Sequence, residues 1–535
     1  MDLSTARVIV TEPISPEGME TLAASVRVEP VFEIAREALL ERVAEFDGIV
    51  VRSCTVIDRE LLDRADRLKV VGRAGVGVDN IDIAHATSRG VLVVNAPESN
   101  TISAAEHTLA LMLAVARDLP RVDRELRGGR WKKAARRGVE LYGKTLGIVG
   151  LGRVGSTVAV RAAAFGMKVI AYDPYIARDR FEMFGAERIE NLDELISRSD
   201  YLTLHTPKTE ETTGMIGGRE IALAPDGVRI INCARGGIVD EAALVSAIES
   251  GKVAGAGIDV FDGEPTESHP FFTHDRIVVT PHLGGSTEEA QVRVGVTIAE
   301  QVVEALSGAL PMHALNVPLE DVETLAFVKP FLPLAEAMGS FYTQLFGLPA
   351  EGVEVGYAGE IGRRPSDLVG ASLMKGLLVP VLGERVNIVN ARGIAESRGL
   401  RFAEARSTRA GSYTSLLTVR GSGERAAGLS GTLVGRDSPR ITEIDGFEVD
   451  LGPAGDAIVA WYDGSVVEEP GVVGRVGTML GEFGVNIGRM EVGREIVGGR
   501  AIMVISPSGD VPRGALEALR AMRGVLEARL VSIRM

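Results

Sequence analysis

Two cysteines, Cys54 and Cys233, are all that 535 residues contain. With no CxxC pair and no Cys/His cluster, the chain offers neither a structural zinc site nor a disulfide framework, and no metal is expected. Aromatic residues are sparse, at 5%. No uncharged apolar run approaches the roughly 20 residues that a membrane span requires. The opening MDLSTARVIVTEP, with acidic Asp2 and a short apolar run, does not read as a signal peptide, and none is expected. Positive charge is in deficit, 58 Lys and Arg against 73 Asp and Glu, for a net charge of −15. That balance argues against a nucleic-acid or anionic-membrane partner and leaves room only for a local basic pocket for a small anion. The expectation is a reduced, soluble protein of the cytoplasm.

What is abundant is glycine, 63 residues, beside an ordinary 45% hydrophobic and 24% charged content. So much glycine suits many tight strand–helix turns. The length is too great for one core and predicts about three or four domains. Short β-branched runs at 6–13, 46–53, 68–77 and 90–97 each end in Gly, Pro or Ser, with helix-like stretches between them, the pattern of a largely parallel α/β sheet. The stretch 103–119 reads as a long helix too apolar to lie on the surface. A second α/β unit follows, with strands expected at 143–152, 167–174, 200–207, 228–235, 255–262 and 276–282, the strand count of a doubly wound nucleotide-binding domain. Around 310–325 two prolines and then acidic residues read as a linker. Beyond it, strands are expected between Gly/Ser/Arg-rich turns such as 420–440. From about 456 the order βαββαβ predicts a ferredoxin-like unit.

The segment GIVGLGRVGSTVAVRAAAFGMKVIAYDPY (147–175) places Gly150, Gly152 and Gly155 in GxGxxG spacing. Alone this is weak. Here the glycines follow an apolar strand and open a helix, and a second apolar strand ends in Asp173, 18 residues after the third glycine. Gly150 permits the tight turn, Gly152 lets backbone approach a pyrophosphate, and Gly155 allows close helix–strand packing. Asp173 would accept hydrogen bonds from a ribose 2′-hydroxyl and repel a 2′-phosphate, so NAD is expected over NADP. The bland alternative is an ordinary βα turn.

Three downstream runs end in groups able to do chemistry: Arg235 in RIINCARGGIVDE, Asp259 and Glu264 in GAGIDVFDGEP, and His282 in IVVTPHLGGST. Ligands of open α/β sheets bind at the carboxyl ends of strands, where these groups are expected. Hydride removal from a hydroxyl-bearing carbon requires loss of the hydroxyl proton, for which a histidine is suited. A carboxylate behind the imidazole fixes its tautomer, and an arginine can hold a substrate carboxylate bidentately. Taken singly, each has a plainer reading: a turn histidine, a surface arginine, a solvated glutamate. Their joint occurrence at successive strand ends, beside a nucleotide turn, favours the chemical one.

The series GLGRVG, YDP, HTP, NCARGGIVDE, GAGIDVFDGEP and TPHLGGST resembles the D-isomer-specific 2-hydroxyacid dehydrogenase family. The resemblance implies Arg235, Glu264 and His282 as a catalytic set, with His282 the acid/base. It implies cofactor contacts at Arg153, Val154, Thr206, Pro207, Cys233, Asp259 and Gly284 in addition to the glycine turn and Asp173. It further implies a Rossmann-type nucleotide domain, 97–281, inserted in a flavodoxin-like substrate domain made of 1–96 and 282–316.

VRSCT (51–55), GRAGVGVDNID (72–82) and VNAPESNTISAAEHTLAL (94–111) resemble the 3-phosphoglycerate-oxidising branch of that family. The likeness implies substrate contacts at Arg52, Ser53, Gly75, Val76 and Asn100, with Lys132 or Lys133 of the basic loop 128–138 reaching the phosphate of a neighbouring subunit. The long form of this branch carries an α+β intervening domain, here 317–453, and an ACT domain, here 454–535, whose signature resembles EEPGVVGRVGTMLGEFGVNI (468–487). ACT domains that bind serine have an aspartate two residues before the proline; Glu468 stands there, with Asn486 beyond the helix. The resemblance therefore implies oxidation of 3-phospho-D-glycerate in serine synthesis, a possible L-serine effector and a homo-oligomer, dimer or tetramer. The alternatives are a sister dehydrogenase of unphosphorylated acids such as glyoxylate, hydroxypyruvate or 2-hydroxyglutarate, and a non-catalytic NAD-sensing regulator.

Overall fold

A computed structural model describes residues 3–131, 137–318, 321–422, 427–452, 455–463, 471–494 and 499–533. The first sheet is built from Arg7–Val10 (β1), Arg27–Pro30 (β2), Gly48–Val51 (β3), Val70–Arg73 (β4) and Leu92–Asn95 (β5). All are parallel, in the order β2-β1-β3-β4-β5, the flavodoxin-like arrangement. Four of these strands follow the apolar runs. The fifth, β2, has no such run: its residues are exposed or half-buried at the sheet edge, so nothing in RVEP marks it.

The second sheet is Thr145–Val149 (β6), Lys168–Tyr172 (β7), Glu187–Arg188 (β8), Tyr201–Leu204 (β9), Val228–Asn232 (β10), Val253–Ile258 (β11) and Ile277–Val279 (β12). Its order, β12-β11-β10-β9-β6-β7-β8, reverses direction beside β6, as in doubly wound dinucleotide folds. Six of its strands were expected; β8, only two residues long, was not. The helix Thr101–Arg117 lies against β11. Glycines in that strand allow the approach, because a Cβ on Gly257 or Gly255 would come within 2.9 Å of Leu111 or Val115 side-chain atoms.

The chain then returns to the first sheet. Thr287 caps the helix Glu288–Ser307 by accepting from the Ala290 amide. This helix touches the helix Pro16–Ala23 so closely that a Cβ on Gly18 would stand 2.5 Å from the Gly295 carbonyl carbon. Leu315 then donates to Val93 O at 2.8 Å. The 282–316 segment thus packs with the N-terminal strands, far from it in sequence.

The third sheet, Gly352–Gly359 (β13), Arg401–Ser407 (β14), Ser415–Ser422 (β15), Gly428–Val434 (β16), Ser438–Ile444 (β17) and Phe447–Leu451 (β18), runs β14-β13-β15-β16-β17-β18 under the helices Phe331–Phe346 and Asp367–Leu382. Here the reading of 420–440 as turns is corrected: most of it is strand. Its small residues are there for packing, since a Cβ on Gly431 would press to 2.7 Å from Met338 Sδ on the covering helix. The fourth sheet, Gly455–Asp463 (β19), Asn486–Arg494 (β20), Arg500–Ser508 (β21) and Val525–Ile533 (β22), has the ferredoxin-like order β20-β21-β19-β22. One of its faces is not solvated. Val459, Trp461 and Val504 join a single buried core that runs through Met338 and Phe331 to Val302, Ile298 and Val94 of the first sheet.

Candidate functional site

The carboxyl ends of β10, β11 and β12 carry Arg235, Asp259 and His282, the turn after β4 lies against Arg235, and the glycine turn follows β6; each residue after a strand has a local reason for its place. After β6, Gly150 turns at φ 91° and donates to Tyr172 O at 2.9 Å. A Cβ there would strike His205 O at 2.7 Å, and one on Gly155 would strike Gly150 O at 2.0 Å. Gly152, at the N-cap of the helix Arg153–Ala164, has no atom within 4 Å of where its Cβ would stand. Open space above a helix N-terminus suits a pyrophosphate. Asp173 is half-buried and accepts from Leu151 N at 2.9 Å and Tyr175 N at 3.0 Å; a carboxylate has about four lone-pair sites, so capacity remains for a ribose diol. The Thr206 hydroxyl is buried without a partner, an orphan group beside this turn. Pro207 O accepts from Thr212, and Val154 packs into the core under the turn. Arg153 reaches Glu98 at 3.1 Å, on the connection between the two lobes. An open glycine cradle, an acid at the second strand end and an orphan hydroxyl fit NAD.

After β10, Asn232 shapes the turn, donating to Arg235 O at 2.9 Å and accepting from Ala234 N at 3.0 Å. Gly236 is obligatory, because its Cβ would overlap Phe261 O at 1.8 Å. The Arg235 guanidinium donates to Ala234 O, pairs with Asp79 at 3.5 Å, and lies against Gly77. An arginine of the second sheet therefore rests on a turn of the first. Burial pushes the Cys233 thiol up to about 12, so it is a neutral wall residue and not a nucleophile.

After β11, Asp259 is fully buried. Burial pushes its carboxyl up, but hydrogen bonds from His107, Thr280 and the amides of Leu283 and Gly284 prevail and hold it below the usual range. These bonds measure 2.6 Å from Thr280, 2.7 Å from Leu283 and 2.8 Å from Gly284. Asp259 thus fastens the loop that carries His282, with lone-pair capacity left at Oδ2. Gly284, its amide so used, keeps its carbonyl oxygen as an acceptor. Glu264 accepts from Phe261 N at 2.7 Å through one oxygen and faces His282 Nδ1 at 2.5 Å through the other. Nε2 of His282 has no partner among the described residues.

On the first lobe, Gly75 N–H donates to Arg73 O at 2.8 Å within the turn after β4. The next residue, Val76, accepts from Asn95 at its carbonyl at 2.7 Å. Arg52 and Ser53 lie on a loop whose amides point at Glu12, and the Arg52 guanidinium donates to Pro13 O at 3.3 Å. Asn100 sits at the start of the helix Thr101–Arg117, its side chain beside Gly285. Sequence reading passed over Arg73. Its guanidinium lies directly beneath Gly75, and its buried Nε has no partner. Burial and then the nearby Arg235 disfavour its charge. A charged residue ending an apolar strand was the available signal. Glu12, Asp79, His107 and Thr280 were also missed. Lys132, Lys133 and Glu468 lie outside the described residues; Asn486 opens β20, exposed and in register with Ser508.

The family described as D-isomer specific 2-hydroxyacid dehydrogenase, NAD binding domain, matches residues 109–284. The D-3-phosphoglycerate dehydrogenase intervening domain matches 327–445, and the ACT domain matches 465–524. Proteins named D-3-phosphoglycerate dehydrogenase resemble the whole chain. That of Archaeoglobus fulgidus is 41% identical over 532 residues, 98% of this chain and all of its own; that of Bacillus subtilis is 39% identical over 528 residues, 98% of this chain and 99% of its own. Among solved structures, a Thermus thermophilus protein matches with TM-score 0.54 and 34% identity over 58% of this chain and 99% of its own. A D-lactate dehydrogenase from Aquifex aeolicus, solved with NAD and lactic acid, matches with TM-score 0.51 and 30% identity over 56% of this chain and 96% of its own.

Proposed function

Since the chain belongs to the D-3-phosphoglycerate dehydrogenase family, we propose that it oxidises the C2 hydroxyl of 3-phospho-D-glycerate to the ketone of 3-phosphooxypyruvate, the first step of L-serine synthesis, through His282, Glu264 and Arg235. NAD, when bound on the Gly150–Gly155 turn with its ribose at Asp173, supplies the hydride acceptor. The protein's own part is proton transfer and charge. Glu264 accepts from Nδ1–H of His282, which leaves Nε2 as the atom that takes the hydroxyl proton. Arg235 holds the substrate carboxylate and polarises the developing carbonyl oxygen. Arg52, Ser53, the backbone at Gly75 and Val76, and Asn100 surround the rest of the substrate, and Arg73 adds a third cation beside Arg52 and Arg235 for a multiply charged anion.

The observation that supports this reading is the position of Arg235 against Gly77 and Asp79, the second lobe's arginine on the first lobe's turn after β4. We take 1–96 with 282–316 as the substrate domain, 97–281 as the NAD domain, 317–453 as the intervening domain and 454–535 as the regulatory domain. The working form is a homo-oligomer joined through the NAD domain, a reading supported by the exposed Leu119, Leu126, Trp131 and Tyr142 on that domain. Serine acts through Glu468 and Asn486. Cytoplasm suits two free thiols, and no described helix is long and apolar enough to cross a membrane.

The test is NADH formation at alkaline pH with 3-phosphoglycerate beside glycerate, lactate and 2-hydroxyglutarate, each with and without millimolar L-serine. A strong preference for the phosphorylated acid is expected. Turnover of the unphosphorylated acids alone would overturn the substrate assignment.

A further inference from the structure

The loop that carries Arg52 and Ser53 closes around a carboxylate supplied by the chain itself. Glu12 stands two residues beyond β1. Four successive amides converge on it: Arg52 N at 2.9 Å, Ser53 N at 3.1 Å, Cys54 N at 3.2 and 3.1 Å to its two oxygens, and Thr55 N at 3.0 Å. Consecutive backbone N–H groups turned toward one centre form a nest that selects an anion. Burial pushes the Glu12 carboxyl up, yet the amides of Thr55, Arg52 and Cys54 outweigh it and hold the group below the usual carboxylate range. The loop is braced from outside as well. Asn80 donates to Arg52 O at 3.0 Å and Thr55 O at 2.7 Å, and the Thr11 and Thr55 hydroxyls meet at 2.8 Å.

This arrangement has a consequence for an enzyme whose substrate is a phosphate-bearing acid. A row of converging amides beside the Arg52 guanidinium would itself bind phosphate or carboxylate. With Glu12 filling it, those amides are satisfied and the substrate is left to the guanidinium of Arg52, whose backbone is held at both its N–H and its C=O. The Glu12 charge also acts on the neighbouring Arg73, favouring its charged form against burial and the repulsion of Arg235 and Arg52.

We propose that Glu12 is a positioning residue for substrate binding: by occupying the amide nest of residues 52–55 it fixes the Arg52 loop and denies that nest to the substrate's own anionic groups. This rests on the reading of Arg52 as a substrate contact. It requires no direct contact between Glu12 and the substrate, so its loss acts on substrate binding before chemistry.

The experiment compares full-length wild type with Glu12→Gln, Glu12→Asp and Glu12→Ala, measuring KM and kcat for 3-phosphoglycerate, NADH affinity by fluorescence titration, and Tm. Gln keeps the shape but faces amide donors with a donor of its own. The expected result is a KM for 3-phosphoglycerate raised about tenfold or more in Glu12→Gln, since a charge-assisted bond is worth at least that factor. NADH affinity stays within twofold, kcat changes far less than KM, and Glu12→Asp falls between. Formate or acetate, small enough to enter the vacated nest of Glu12→Ala, lowers its KM toward the wild-type value and leaves the wild type unaffected. An unchanged KM in Glu12→Gln overturns the proposal. So does an equal loss of substrate and NADH binding with a fallen Tm and no rescue by formate, which marks a merely structural residue. If the wild type prefers another 2-hydroxy acid, the substrate assignment fails, and the same KM comparison on that acid still decides the role of Glu12.

Discussion

His282 Nδ1 and Glu264 Oε2 lie 2.5 Å apart, and the opposite oxygen of Glu264 is held by the Phe261 amide at 2.7 Å. The carboxylate is thus fixed before it fixes the imidazole. His282 itself has a left-handed backbone, φ 53°, which costs a non-glycine residue roughly 1–2 kcal/mol. Bonds from its amide to Asp259 O and from the next two amides to the Asp259 carboxylate maintain it.

From this pair, His282→Asn is expected to lower kcat by about 10²–10⁴-fold, with NADH binding unchanged. Glu264→Gln is expected to lower kcat in the same direction with little change in KM, because it removes orientation and not substrate contact. Steady-state kinetics beside NADH fluorescence titration measures both. A kcat for His282→Asn within threefold of wild type would dismiss the general-base role.

The glycines of the turn are expected to separate folding from binding. Gly152→Ala adds a methyl group where no protein atom stands within 4 Å, so Tm is unchanged while KM for NAD rises, because the methyl occupies the approach of the pyrophosphate. Gly155→Ala drives its methyl into Gly150 O and lowers both Tm and NAD affinity. Thermal melts with and without NAD distinguish them; an unaltered KM for NAD in Gly152→Ala would move the pyrophosphate elsewhere.

Arg235→Lys is expected to cost about 100-fold or more in kcat/KM, since a point charge does not reproduce the planar fork on a carboxylate. Asp79→Asn, which removes the exposed partner of the same guanidinium, is expected to change kcat/KM less than about threefold, as exposed ion pairs contribute little. Similar losses in the two variants would show that Arg235 serves the lobe contact and not the substrate.

Stability is expected to carry a histidine signature on the acid side. Burial lowers His205 to about 4 from 6.5, so the folded protein keeps it neutral while the unfolded chain takes up a proton. The contribution of neutral His205 is fully present above pH 6.5 and is lost as pH falls toward 4, at about 1.4 kcal/mol per unit and at most about 3.5 kcal/mol in all. Denaturant titrations across that window should show a shallower loss in His205→Gln. A parallel pH dependence in the two proteins would exclude His205 as its source.

Much of the fold was legible because it is written in local pattern. Apolar runs ending in Gly or Pro mark buried parallel strands, and a carboxyl-end histidine, glutamate or arginine is conspicuous against them. What escaped was local structure without a local signal. The edge strands β2 and β8 bury too little to need an apolar run. The strands within 420–440 look like turns because glycine there serves the packing of a helix from ninety residues earlier. Glu12 and Arg73 were overlooked because a lone glutamate after a strand and an arginine after a glycine look like surface charges until their surroundings are known.

The sequence by itself determined the element order, the dinucleotide turn and the chemical groups at the strand ends, since these depend on spacing of a few residues and on backbone that only glycine allows. The tertiary structure alone decided which of those groups meet. Arg235 reaches Asp79 across 156 positions of sequence, Glu12 is enclosed by amides some 40 residues on, and the helix Glu288–Ser307 returns to the first sheet to bury Val294, Ile298 and Val302 in the core that sheet shares. No local pattern specifies such contacts; they follow from how the cores pack.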